Sequence, residues 1–69
     1  MTTQEREEAR SFELNTMLIG MQLGLIFAAT YGDFLDQFEA RMKAKIGDCT
    51  DEDVEWAVAA LRLFEERNA

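Results

Sequence analysis

The densest run of chemically competent side chains is Asp48, Cys49, Thr50, Asp51, Glu52 and Asp53, an oxygen-rich segment that also holds the chain's single thiol. Such a run could attract calcium, but it lacks the alternating acids, mid-loop glycine and terminal bidentate glutamate of an EF-hand. Helix capping accounts for it better, because Thr50 and Asp53 have capping-box spacing. Nucleophilic or acid–base catalysis needs a positioned nucleophile and base. The chain offers no histidine, one serine (Ser11), one cysteine and no glycine-rich phosphate loop. Paired carboxylates need a desolvating cleft, which a small helical chain does not promise. No catalytic residue, metal or cofactor is therefore expected, and the chain reads as a non-enzyme. Without histidine, a zinc site of the usual Cys/His kind is excluded. One cysteine closes no intrachain disulfide, so Cys49 reads as a passive cytosolic thiol, with intermolecular pairing or redox sensing as alternatives.

The chemistry that remains is recognition. Val54, Ala57, Val58, Leu61 and Phe64 form one apolar face of a helix, and at about 100° per residue Trp56, Ala60 and Leu63 fall on the opposite side. One face suffices to hold a hairpin closed. The other is either dimer core or a patch for a foreign protein, with Trp56, Leu63 and Arg67 as anchors, since tryptophan and arginine dominate interface hot spots. Tyr31, Asp33 and Asp36 on the preceding helix are the fallback contact set.

Sixty-nine residues make one domain, 1–69. A core of that size seldom supplies more than about 3–5 kcal/mol without a staple. With disulfide and zinc excluded, oligomerisation is the staple left. No proline occurs, and apolar residues recur at three and four, so the class is all-α. Thr2 with Glu5 has capping-box spacing, and nothing stops the helix that starts near Thr3 until Arg41, Lys43 and Lys45 precede Gly47. The expectation is one long helix over 3–46 and a short one over 51–67. A kink at 30–33 is the alternative, with Gly32 closing one helix and Asp33 capping the next.

Within the long helix, Thr16, Gly20, Gly24, Ala28 and Gly32 recur every fourth position and predict a shallow ridge on one face. Leu14, Leu18, Met21 and Leu25 crowd around it. A short helix folding back from Gly47 reaches only to about Tyr31, which leaves Leu14 to Ala29 bare. A second copy crossing along the ridge covers both bare regions, so two hairpins build a four-helix homodimer. Its predicted interface is Thr16, Gly20, Gly24 and Ala28 with Leu14, Leu18, Met21 and Leu25.

Seven basic and fourteen acidic residues give a net charge of −7, which disfavours direct binding to nucleic acid or anionic lipid and favours basic partners. The charged start, Gln4 to Glu8, reads as no signal peptide, and hence as a cytoplasmic protein. Nineteen uncharged residues between Glu13 and Asp33, with a G-x-x-x-G at Gly20 and Gly24, also fit a membrane span. Asn15, Thr16, Gln22 and Thr30 interrupt that run at its minimal length, so the soluble dimer is preferred.

FELNTMLIGMQLGLIFAATYGDFLDQFEARMKAKIGD followed by TDEDVEWAVAALRLFEERNA, acidic and proline-free, resembles the small anti-quorum-sensing proteins of Mu-like Pseudomonas phages. The resemblance is one of size and character over the whole chain, and no site residue is carried over from it. It implies a helical homodimer made early in infection that binds the DNA-binding domain of a LasR-type quorum-sensing activator in the host cytoplasm, and also the pilus ATPase PilB. An acidic partner would be steered to the basic surface of such a helix-turn-helix domain. Three functional classes stand side by side: an inhibitor that sequesters a host protein, an acidic DNA mimic, and a small single-span membrane protein. A DNA mimic needs acids arrayed on one face, whereas here they interleave with Arg10, Arg41 and Lys43.

Overall fold

The computed structural model describes residues 2–68, and every element among them is helical: α1 (Thr3–Gln22), α2 (Tyr31–Ile46) and α3 (Asp51–Asn68). The start signals act as their residue types dictate. Thr2 and Glu5 close a reciprocal capping box on α1. At α3, Asp53 N–H donates to Thr50 Oγ1 at 3.3 Å while Thr50 N–H donates to Asp53 Oδ2 at 3.0 Å. Gly47, at φ 91°, ends α2 in the left-handed conformation that glycine adopts without steric penalty.

The long helix over 3–46 does not exist. The chain breaks at 23–30, upstream of the 30–33 kink. Thr30, not Asp33, caps α2, and Gly32 lies inside its first turn. Gly24 is the residue that turns the chain, at φ 75°. Leu25 N–H and Ile26 N–H both donate to Gly20 O, at 2.8 and 3.1 Å, which satisfies a carbonyl the helix end would leave orphaned. The small ridge is dismantled as a consequence. Gly24 and Ala28 lie outside any helix, and Gly20 is covered from within the chain by Ile26, whose Cδ1 would stand 2.6 Å from an added Cβ.

Tertiary burial is what overrides the local helical pattern. Folding α2 back puts Phe34, Phe38 and Met42 against Leu14 and Met17, with Ala57 and Leu61 of α3 completing one core. Each large side chain fully buried is worth about 1.5–3 kcal/mol, more than one helical turn of propensity can offer. The buried residues recur as the helical period requires: Phe34, Phe38, Met42 on α2 and Asp53, Ala57, Leu61 on α3, every fourth position in both. The stretch Leu14 to Ala29 is therefore bare only in part. Leu14, Met17 and Gly20 are buried within the chain, and Leu18, Ile26 and Ala28 pack partly against the core. The result measures 35 × 22 × 18 Å, where a rod over 3–46 would run to roughly 65 Å.

Candidate functional site

Trp56, Leu63 and Arg67 share one groove between α1 and α3, whose other wall includes Ser11, Leu14 and Asn15. The three are not equivalent. Leu63 is 57% exposed and stands on the rim, and Arg67 is exposed beside it. Trp56 is half-buried: its ring stacks on Phe38 with centroids 6.4 Å apart, and the Arg10 guanidinium lies 5.1 Å from its centroid. The two faces of α3 are thus both used inside the chain, because α3 lies across α1 and α2 and buries the Ala57–Leu61 edge with Trp56 and Ala60 packed beside it.

Behind Trp56 lies a charge network that joins the starts of α1 and α3. Asp53, 1% exposed, forms an ion pair with Arg6 Nη2 at 3.1 Å and accepts from Arg10 Nη1 at 3.4 Å, while the Arg6 guanidinium donates to Asp48 Oδ1, at 2.7 Å from Nη2. A second cross-link, Arg41 to Glu13 at 3.3 Å, ties α2 to α1. The oxygen-rich 48–53 segment is therefore occupied by capping and by arginine. Among the described residues no group of three histidine, cysteine, aspartate or glutamate side chains is arranged to hold a metal ion. Burial and the nearby Asp53 and Glu39 carboxylates push the Cys49 thiol above its ordinary value, which keeps it protonated and unreactive near neutrality.

Tyr31, Asp33 and Asp36 lie apart from Trp56. Tyr31, 54% exposed, overhangs an apolar groove of about 530 Å³ floored by Leu18, Met21, Phe34 and Leu61. Asp33 is engaged in the α2 cap, accepting from Ala29 N–H at 3.3 Å, and Asp36 points to solvent with no role in the cap. The predicted interface residues scatter likewise. Leu14 is core, Thr16 and Leu18 are half-buried, and only Met21, Gly24 and Leu25 are exposed.

The apolar surface expected over Leu14 to Ala29 survives in part, gathered at one end of the molecule. Ile19, Met21, Leu23, Leu25, Phe27 and Tyr31 are all exposed, Leu25 to 79% and Phe27 to 83%. No charged residue lies among them in sequence, whereas eight of the fourteen acids (Glu5, Glu7, Glu8, Asp48, Asp51, Glu52, Asp53 and Glu55) gather at the opposite end, where α1 and α3 begin. The uncharged run from Leu14 to Gly32 is its sequence signal, and the part the helical pattern does not show is the bend at Gly24 within that run. No helix among the described residues is long and apolar enough to cross a membrane. No family model matches the chain, and no curated protein or solved structure does.

Proposed function

We propose that this chain is a non-enzymatic interaction module that self-associates through its apolar end and binds a foreign protein along the α1–α3 groove. The observation that carries the reading is the outward apolar surface. Six large side chains between Ile19 and Tyr31 stand exposed, Leu25 to 79% and Phe27 to 83%, and a cluster of exposed apolar side chains of this kind marks an interaction surface. Leu63 and Arg67 supply the second surface, with Trp56 as its floor.

The partner is a basic protein surface. The seven exposed acids at one end (Glu5, Glu7, Glu8, Asp48, Asp51, Glu52 and Glu55) draw such a partner in, and the neighbouring groove from Ser11 and Trp56 to Leu63 and Arg67 gives it apolar and guanidinium contacts. The resemblance to anti-quorum-sensing phage proteins supplies a concrete candidate, the DNA-binding domain of a LasR-type activator, with PilB as a further target. Binding there sequesters the activator from DNA, which makes the chain an inhibitor. The test is calorimetric titration of the purified DNA-binding domain with the wild-type chain, Leu63→Ala and Arg67→Ala. Each truncation is expected to weaken binding about 30-fold, the range of a hot-spot residue. Equal affinities across the three would refute the groove.

A further inference from the structure

We propose that the apolar end joins two copies of this chain by reciprocal insertion: Phe27 of each enters the apolar groove beside Tyr31 of the other. The proposal rests on the self-association read above and names the contact that makes it.

Ring and groove belong to one surface. The groove of about 530 Å³ is floored by Leu18, Met21, Phe34 and Leu61 and walled by Ala29 and Tyr31, the size and lining of a cleft that takes an apolar group. Phe27, 83% exposed, immediately precedes Ala28 and Ala29, which both line that groove. It does not fill its own groove. Ile26 and Ala28 pack against the core, and the alternate residues Leu25 and Phe27 turn outward. The segment is tied in that pose: Gln37 Nε2 donates to Phe27 O at 2.7 Å, Leu25 N–H and Ile26 N–H donate to Gly20 O, and Ala29 N–H donates to Asp33 Oδ2 at 3.3 Å. A ring presented by a fixed backbone has less freedom to lose on docking. Because each copy carries the ring next to the groove, a two-fold axis seats both rings at once, and the assembly closes at two.

Charge favours a second copy as the occupant. Glu65 stands on the lining of the groove, and a smaller cavity of about 220 Å³, which shares Tyr31 and Leu61 with it, is edged by Arg62. Both charges are exposed, and neither forms an ion pair with another described residue. One acid and one base, three residues apart on α3, complement themselves: under the two-fold, Arg62 of each copy faces Glu65 of the other. A partner surface of one sign would meet one of the two with repulsion.

Mixing Phe27→Ser with Ala29→Trp tests the insertion, with helicity read by circular dichroism and mass by light scattering. Phe27→Ser removes the ring, and Ala29→Trp, at an exposed wall position, fills the groove from within the chain. Each variant alone loses both insertions and should dimerise about 100-fold more weakly than wild type. The equimolar mixture regains one, because Phe27 of the Ala29→Trp chain enters the open groove of the Phe27→Ser chain, so the heterodimer should be about 10-fold tighter than either homodimer. A mixture no tighter than its components overturns reciprocal insertion, and a dimeric wild type then means that self-association uses another geometry. A wild type that stays monomeric at micromolar concentration overturns both readings, and flotation with phosphatidylcholine vesicles would then give the apolar end to a lipid surface. Charge reversal supplies an arm that leaves ring and groove intact. Arg62→Glu should weaken the wild-type dimer about 5-fold, and adding Glu65→Arg to the same chain should restore it. A double reversal as weak as the single one overturns the two-fold pairing.

Discussion

Asp53 has lost nearly all its water, and three donors with one ion pair replace it: Thr50 N–H, Thr50 Oγ1–H and Arg10 Nη1 donate, and Arg6 Nη2 stands 3.1 Å away. Half of that arrangement is visible in the sequence, because the Thr50–Asp53 cap is local. The arginines are not, since Arg10 lies 43 residues away and no spacing rule links such positions. Removing one partner of a buried pair strands the other, at about 3–5 kcal/mol. Asp53→Asn is therefore expected to abolish most of the stability of a domain this small, as a collapse of the urea midpoint. Asp48→Asn is the contrast: Asp48 is 61% exposed, so the same arginine loses less than about 1 kcal/mol. Equal midpoints for the two variants would mean that burial does not govern the network. The thiol gives a pH prediction. Cys49 is raised above 9.0, so the unfolded chain loses its thiol proton first. Lys43, hydrogen-bonded to Glu39, is raised in the same sense. For both groups the stabilisation is fully present below the unfolded value and fades as pH climbs through the folded one. Melting temperature should be level near neutrality and fall above about pH 9, and Cys49→Ser should flatten the onset of that fall.

At the level of elements, the starts at Thr2 and Thr50 and the stop at Gly47 are legible because each signal lies within four residues of the end it makes. The break at 23–30 is not. The last turn of α1 has no basic residue, its cap is Leu23, and Gly24, which turns the chain, also falls on the four-residue spacing of small residues that helix packing explains equally well. Only the long-range meeting of Leu14 and Met17 with Phe34 and Phe38 decides it. Two glycines in this region now carry different expectations. At Gly20 an added methyl meets Ile26 Cδ1 at 2.6 Å and Cγ1 at 2.8 Å, so Gly20→Ala should destabilise by about 1–3 kcal/mol through overpacking. Adding Ile26→Ala should recover much of that loss, a coupling readable in a double-mutant cycle. At Gly24 there is open space but φ is 75°, so the penalty of Gly24→Ala comes from the backbone, about 1–2 kcal/mol in the bent form. A urea midpoint unchanged by Gly24→Ala would mean that the backbone at this position is not held at positive φ.

The whole molecule is polar in a literal sense, with acids around the starts of α1 and α3 and apolar side chains around the joint of α1 and α2. Separating the apolar end from the exposed acids at the starts of α1 and α3 lets two chains of charge −7 approach at the ends that repel least. Phe27 and Leu25 are the side chains to test, because at 83% and 79% exposure they contribute little to the core of the single chain. Phe27→Asp and Leu25→Asp should leave helicity near the wild-type value while shifting the mass from dimer to monomer at micromolar concentration. Salt separates the two surfaces further. Self-association through uncharged side chains should hold or tighten as salt rises. Capture of a basic partner should slow, because the Debye length shrinks from about 10 Å at 0.1 M to about 3 Å at 1 M and the acidic end ceases to steer. If Phe27→Asp remained dimeric while losing helicity, the joint would be part of the core rather than its outward face, and the assignment of the apolar end to a second copy would fail.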